Sequence, residues 1–175
     1  EARILTLQIE QMQLFCSTFE HKDIFIMKKI INLKTDKLFT NITPQVNKFA
    51  KEWGKSGIVN VFSKHTTLCI WCAEDELLHK TDVRFFLDKL APKWKDPEGE
   101  HRNIKYLHDL ISLRDEAPHD ERTNGHSHIR SMFFSSSETI PVEKGKLILG
   151  TYKQIFGIEL DGIREREIVC SFIEE

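Results

Sequence analysis

Three histidine-containing segments offer side chains that could bind a metal ion or transfer a proton. His65 stands in a Lys-His-Thr-Thr sequence, His108 precedes an aspartate, and His126 and His128 belong to Asn-Gly-His-Ser-His. Three imidazoles that converge on one point suit zinc or a similar divalent ion and leave a fourth position for water or substrate. Because His126 and His128 are two residues apart, we expect at most one of them to face that ion. The alternative is that these histidines lie on the surface or are satisfied within the core.

Hydroxyl side chains and two arginines could bind a phosphorylated ligand. Thr66 and Thr67 follow the first histidine, and Thr151 follows a glycine. Hydroxyl groups and the N–H groups of turns are suitable ligands for phosphate oxygens. Arg164 and Arg166 could add bidentate contacts to the same oxygens. Serine and threonine are also common in strands and turns, so the pattern alone leaves both interpretations open.

Acidic side chains could complete such a site. Glu74 begins a run of three acids after the threonine-containing segment, and Asp109 directly follows His108. Either carboxylate could orient a histidine, bind magnesium or act as a base. Alternatively, each of these carboxylates simply belongs to a charged, solvent-exposed stretch of the surface.

Composition excludes several classes of protein. The 175 residues are 40% hydrophobic and 30% charged, which is typical of one globular domain. A net charge of −2 argues against a nucleic-acid-binding protein, and no apolar run is long enough for a transmembrane helix. The first residues do not resemble a signal peptide, so a cytoplasmic location is expected. The Cys69–Cys72 pair lies in an apolar run, and the four cysteines are therefore interpreted as structural thiols in a reducing compartment.

The elements that must position these side chains can be predicted from periodicity and turn residues. Seven strands are expected, at Asp23–Leu33, Ile58–Phe62, Leu68–Ala73, Glu138–Val142, Lys146–Leu149, Lys153–Leu160 and Arg166–Ile173. Four helices are expected: one capped by Thr43 and ended by Gly54, one capped by Asp82, a short one within the polar stretch that follows it, and a short one after Gly125. The second should place Val83, Phe86, Leu87 and Leu90 on one apolar face. The polar stretch 93–125 is mainly loop, with a short helix at Ile104–Ile111. Grouped helices among more numerous strands indicate the α+β class.

Six motifs, in this order, resemble those of the YjbQ family, also called the secondary thiamine-phosphate synthase family. The similarity covers roughly residues 24–173, which suggests a single domain at 23–175 after an N-terminal extension at 1–22. The motifs are Lys64-His65-Thr66-Thr67, Tyr106-Leu107-His108-Asp109 with Arg114, Asn124–Arg130, Ser137–Val142, Gly145–Thr151 and Ile155–Gly162.

The resemblance implies a compact β-sandwich with a few packed helices, assembled as a homotrimer with histidine-lined sites near the subunit interfaces. It also implies weak thiamine-phosphate synthase activity, in which hydroxymethylpyrimidine diphosphate is joined to thiazole phosphate and pyrophosphate is released. On the family pattern, His65, His108 and His128 would form the metal or substrate pocket, with zinc or magnesium as the expected ion. His126 would have an acid–base or orienting role.

In such a reaction, Arg164, Thr66 and Thr67 would stabilise the leaving diphosphate together with the divalent ion. Glu74 or Asp109 would bind magnesium or stabilise cationic character at the pyrimidine methylene. Thr151 would belong to the phosphate-binding groups.

Departures from the family pattern leave the substrate open. Tyr152 and Lys153 stand where the family has Trp-Gln, and Ile163 stands where it has proline. The alternatives are another metal-dependent enzyme acting on a phosphorylated small molecule, or a non-catalytic trimer that binds a metal or ligand.

Overall fold

Two antiparallel sheets enclose the main hydrophobic core of the protein. The computed structural model describes residues 25–93, 106–115 and 121–175. The five-stranded sheet has the order β1-β8-β3-β5-β6, and the three-stranded sheet has the order β2-β7-β4. The strands are β1 (Ile26–Thr35), β2 (Phe39–Asn41), β3 (Gly57–Ser63), β4 (Leu68–Glu74), β5 (Ser137–Glu143), β6 (Lys146–Leu147), β7 (Lys153–Glu159) and β8 (Arg164–Glu174). The predicted α+β class is confirmed, and each predicted strand has a counterpart.

Alternation along the strands explains why the sheets pack face to face. In β8, Ile168, Cys170 and Phe172 are fully buried, while the residues between them are partly exposed. Successive strand residues point to opposite faces, so these three side chains reach the space between the sheets. They meet apolar side chains of the three-stranded sheet, including Leu68, Ile70 and Ile155.

The first helix, α1 (Thr43–Trp53), lies over one end of this core and begins differently from the prediction. Pro44 occupies its first turn as expected, and Gly54 ends it with a φ of 71°. The prediction that Thr43 caps the helix is wrong, because Thr43 is the first helical residue and Ile42 occupies the cap position. The Thr43 hydroxyl instead accepts a hydrogen bond from the Ile155 N–H at 2.8 Å, which joins the helix to β7.

The second helix, α2 (Leu77–Leu90), begins five residues before the predicted cap. The carboxylate of Glu76 accepts hydrogen bonds from the N–H groups of Leu78 and His79, at 2.8 and 2.7 Å. Glu76 therefore satisfies the free N–H groups that Asp82 was expected to satisfy, and the prediction of Asp82 as the cap is wrong.

The predicted apolar face of α2 is only partly buried. Leu87 is fully buried in a second core on the outer side of the three-stranded sheet, with Phe156 and Ile158. Phe86 is 54% exposed and Leu90 is 42% exposed. The helix is therefore attached along a narrow stripe, and one flank of it remains open to contact.

The third helix, α3 (Gly125–Ser131), follows two short 3₁₀ turns at Leu107–Asp109 and Ile111–Leu113. Those turns replace part of the helix predicted at Ile104–Ile111, whose first two residues lie outside the described residues. The proposed extension 1–22 and most of the predicted loop also lie outside them. No helix among the described residues is long and apolar enough to cross a membrane.

The described cysteines fit the interpretation as structural thiols. Cys69, Cys72 and Cys170 are free. Burial raises the pKa of both Cys69 and Cys72 to about 11 and that of Cys170 to about 12. Thiols with such pKa values remain protonated at neutral pH and are poor nucleophiles.

Candidate functional site

Glu159 and Arg166 form a buried ion pair where β7 ends and β8 begins. The side chain of Glu159 is 1% exposed and that of Arg166 is 10% exposed. The guanidinium donates from Nε at 2.5 Å and from Nη2 at 2.9 Å to the two carboxylate oxygens. Nη2 also contacts the Thr67 hydroxyl at 3.0 Å, and the Asp161 N–H donates to the Glu159 carboxylate at 2.8 Å. This bidentate arrangement fixes the orientation of the arginine.

A second carboxylate–arginine pair lies beside the first. The Arg164 Nε donates to the Asp161 carboxylate at 3.0 Å, and Asn124 Nδ2 donates to the same carboxylate oxygen at 3.3 Å. Burial would raise the pKa of Asp161, but these hydrogen bonds and the nearby positive charges outweigh it and hold the pKa below its usual value. Asp161 therefore stays ionised at neutral pH and links Arg164 to the start of α3.

His65 lies on the β8 side of these pairs. It lines a cleft of about 600 Å³ together with Arg166, Lys34 and Lys64, and with Asn32, Leu33, Glu165 and Glu167. Its Nε2 accepts a hydrogen bond from the Glu167 N–H at 3.1 Å. In the neutral ring the proton is therefore on Nδ1, so His65 offers a donor rather than a second lone pair. Burial, followed by the charge of Arg166, lowers its pKa.

His108 and His128 come together on the other side, near Asp161. Their ring centroids are 4.4 Å apart, and the Nε2 of His108 is buried without a hydrogen-bond partner. Burial, followed by the neighbouring His108, lowers the pKa of His128. Two imidazole rings side by side are suitable for binding a proton donor or a metal ion.

The predicted metal pocket would need a third ligand beside these two histidines. Within the ranges 25–93, 106–115 and 121–175, no group of three His, Cys, Asp or Glu side chains is arranged to hold a metal ion. The Nε2 lone pair of His65 is already engaged by a backbone N–H. The described residues of one chain thus do not fit a three-histidine centre, and the divalent ion stays a prediction.

His126 occupies surroundings different from those of His128. His126 is 5% exposed, and its Nε2 lies 3.2 Å from the hydroxyl oxygen of Ser127. That hydroxyl donates to the Leu160 carbonyl at 2.6 Å, so Nε2 of His126 must carry the proton in this contact. Burial lowers the pKa of His126. The ring faces a separate cleft that also contains Arg130.

The other predicted residues divide into those near the ion pairs and those distant from them. Thr67 is buried against Arg166, as described, and Thr66 beside it is exposed. Asp109 Oδ1 accepts a hydrogen bond from the Gly125 N–H at 2.8 Å, so this carboxylate holds the start of α3. The Asp109 carboxylate, next to His108 in the sequence, therefore has a structural role in this contact.

Glu74 and Thr151 are not brought to this site within one chain. In the β4–β7 ladder, Leu68 pairs with Glu159 and Glu74 pairs with Lys153. These two register positions are six residues apart, which corresponds to about 20 Å along an extended strand. Thr151 lies two residues before the start of β7, at the Glu74 end of the ladder.

Sequence reasoning did not assign a role to Asn124, Glu159 or Asp161. A signal was nevertheless present, because two acids two residues apart are followed closely by Arg164 and Arg166, also two apart. In extended segments, residues at that spacing share a face, so two carboxylates and two guanidinium groups can pair even though β7 and β8 belong to different sheets.

The three lowered histidine pKa values predict how stability depends on pH. The pKa values of His65, His126 and His128 are lowered chiefly by burial, so the folded state binds protons less readily than the unfolded chain. The stability that the neutral histidines contribute is present above the pKa of histidine in the unfolded chain, which is about 6.5, and is lost as the pH falls below this value. We expect the free energy of unfolding in urea to decrease from about pH 7.5 to about pH 5. His126→Gln should give a shallower dependence, and an unchanged slope would contradict the assignment.

The fold and site together define a class of protein: a two-sheet α+β domain that carries histidines around paired buried carboxylates and arginines. The family model described as UPF0047 protein YjbQ-like matches residues 29–175, and the chain belongs to this family. A UPF0047 protein of Methanothermobacter thermautotrophicus is 33% identical over 132 residues, covering 75% of this chain and 79% of that protein.

Solved structures agree with this assignment. A protein of unknown function from Sulfolobus solfataricus, described as YbjQ-like, superimposes with a TM-score of 0.69 at 26% identity, over 87% of this chain and 99% of that one. An uncharacterised YjbQ/UPF0047 family protein from Clostridium acetobutylicum gives a TM-score of 0.63 at 32% identity, over 81% of this chain and 97% of that one. The family resemblance inferred from the six motifs is therefore confirmed.

Proposed function

We propose that the protein is an enzyme acting on a phosphorylated small molecule, and that the reaction to test first is the thiamine-phosphate synthase reaction. The observation that supports this most directly is that His65 and Arg166 both line one cleft of about 600 Å³. Arg166 is fixed by Glu159, and His65 presents its Nδ1 proton in the neutral state. A preoriented cation beside a hydrogen-bond donor is suited to an oxyanion that gains charge as it leaves.

The proposed chemistry is a substitution at the pyrimidine methylene. The bond between this carbon and the diphosphate oxygen breaks, and its electron pair leaves with the diphosphate. The lone pair of the thiazole nitrogen then forms the new carbon–nitrogen bond, so no oxidant or reductant is needed. Arg164 and Arg166 keep N–H donors beyond those used by their carboxylates, and the exposed Thr66 hydroxyl can contribute another. Burial lowers the pKa of His128, so its neutral ring can accept a hydrogen bond from an N–H group of the substrate.

The test measures pyrophosphate release from hydroxymethylpyrimidine diphosphate and thiazole phosphate. We expect His65→Ala and His128→Ala each to lower kcat/KM by about 100-fold or more, because each removes a positioned donor or acceptor. His79→Ala on the exposed surface of α2 is the matched control and should retain full activity.

Two results would contradict this proposal. Full activity in both variants would exclude the histidines from the reaction. Absence of pyrophosphate release by the unaltered protein would exclude the synthase reaction, and product analysis with other phosphate esters would then test the broader assignment.

We also propose that the protein forms the homotrimer implied by the resemblance, through the apolar flank shared by α2 and α3. Phe86 of α2 and Phe133 after α3 make an edge-to-face contact with ring centroids 6.0 Å apart, and both are more than half exposed. Ile129 is 40% exposed and Met132 is 77% exposed beside them. Contiguous large apolar side chains of this kind are typical of surfaces that bind another protein.

The expected result is that Phe86→Asp converts the trimer to a monomer, measured by size-exclusion chromatography with light scattering. A carboxylate at this position would have to be desolvated in the interface. Phe62→Asp is the matched control, because this phenylalanine is 42% exposed on the five-stranded sheet. A wild-type protein that is already monomeric, or a Phe86→Asp variant that stays trimeric, would contradict the proposal.

A further inference from the structure

Two adjoining clefts lie along the flank of α2 opposite Phe86, and both are lined by Lys37 and Arg84. The smaller has a volume of about 240 Å³ and the larger about 400 Å³. Arg84 and Phe86 are two residues apart, so their side chains leave the helix about 200° apart. The clefts therefore do not coincide with the apolar flank proposed for trimer contacts.

The charges around these clefts are not balanced once the ion pairs are counted. Four charged groups of the larger cleft are neutralised in three ion pairs: Arg130 with Asp88, Asp161 with Arg164, and Glu159 with Arg166. Across residues 25–93, 106–115 and 121–175, Lys37, Arg84 and Lys93 form no ion pair. Asp36 is the unpaired carboxylate among the lining residues of this cleft. Three unpaired cations against one unpaired acid produce a positive potential where the clefts meet.

The smaller cleft combines this potential with apolar walls. Among the residues that the structure describes, its lining contains no carboxylate, and Phe39 and Leu77 contribute apolar surface. Lys80 also lines it, but this ammonium is paired with Asp75. The available positive charges are thus those of Lys37 and Arg84, one on the turn before β2 and one on α2.

We propose that the smaller cleft binds a phosphate monoester of an apolar group, with the phosphate between Lys37 and Arg84 and the apolar group against Phe39 and Leu77. A guanidinium can hold two phosphate oxygens at once, and an ammonium adds charge without fixed geometry. The site uses none of the residues assigned to the proposed reaction. It is a second binding site, and it can be tested independently of that activity.

Phenyl phosphate is the probe, and the measurement is a ¹⁵N NMR titration of the full chain. We expect saturable shifts of the backbone amides of Thr81 and Arg84, with no comparable shifts from phenol. The double variant Lys37→Met/Arg84→Met should weaken binding by about tenfold or more. Lys51→Met, an exposed residue of the last turn of α1, is the matched control and should bind as the wild type does.

Several outcomes would overturn the site. These are the absence of saturable shifts at Thr81 and Arg84, unchanged affinity in the double variant, or an equal loss in Lys51→Met. Inorganic phosphate binding as tightly as phenyl phosphate would overturn the role of the apolar walls. His65→Ala should retain the shifts, which separates this site from the one proposed for the reaction.

Discussion

Replacing Arg166 with Met is expected to lower the free energy of unfolding by about 3–5 kcal/mol, because it leaves the buried Glu159 carboxylate without its ion-pair partner. Glu159 would keep the Asp161 N–H and the Thr35 hydroxyl as hydrogen-bond donors, but neither neutral donor replaces the bidentate guanidinium. The Thr67 hydroxyl also loses its contact with Arg166. The measurement is urea denaturation at one fixed protein concentration, since association would otherwise shift the transition.

Two further variants separate the buried charge from other effects of the substitution. Lys64→Met breaks a solvent-exposed ion pair with Glu167 on the same sheet and should change stability little. Adding Glu159→Gln to Arg166→Met removes the unpaired charge and should recover part of the lost stability. If Arg166→Met costs no more than Lys64→Met, the pair is not important for folding.

The strands could be predicted from the sequence because their signal is local. Alternation in β8 is visible because Ile168, Cys170 and Phe172 recur at every second position after the charged residues 164–167, and all three are buried. β2, with three residues, is too short to show a period, and its pairing with β7 depends on residues more than a hundred positions away. The start of α2 was predicted at the wrong acid, because Glu76 and Asp82 are both suitable caps and only the folded backbone distinguishes them.

The site could be predicted only in part, for a related reason. Residue type predicts a chemical role for His65 and His128, but it could not show which acids lie near them. Glu74 and Glu159 are the same residue type on paired strands, yet the register places them at opposite ends of the ladder. Register is determined by long-range pairing and by which face of each strand is buried. The ion pairs that orient the arginines could therefore not be predicted from residue spacing and composition.

The narrow attachment of α2 leads to a second large effect on stability. Leu87→Ala should lower the free energy of unfolding by about 2–5 kcal/mol, since this side chain is fully buried against Phe156 and Ile158. Leu90→Ala is the matched control, because Leu90 is 42% exposed on the same helix and should cost less.

The same substitution tests whether α2 is held mainly by this one side chain. Leu87 is the buried residue of the helix, so its removal should lower the hydrogen-exchange protection of the α2 amides more than that of β8. Because α2 also carries Arg84, Leu87→Ala should weaken phenyl phosphate binding even though it leaves both cations in place. Equal loss of protection in α2 and β8 would mean instead that α2 unfolds only with the whole domain, and that contacts beyond Leu87 secure it.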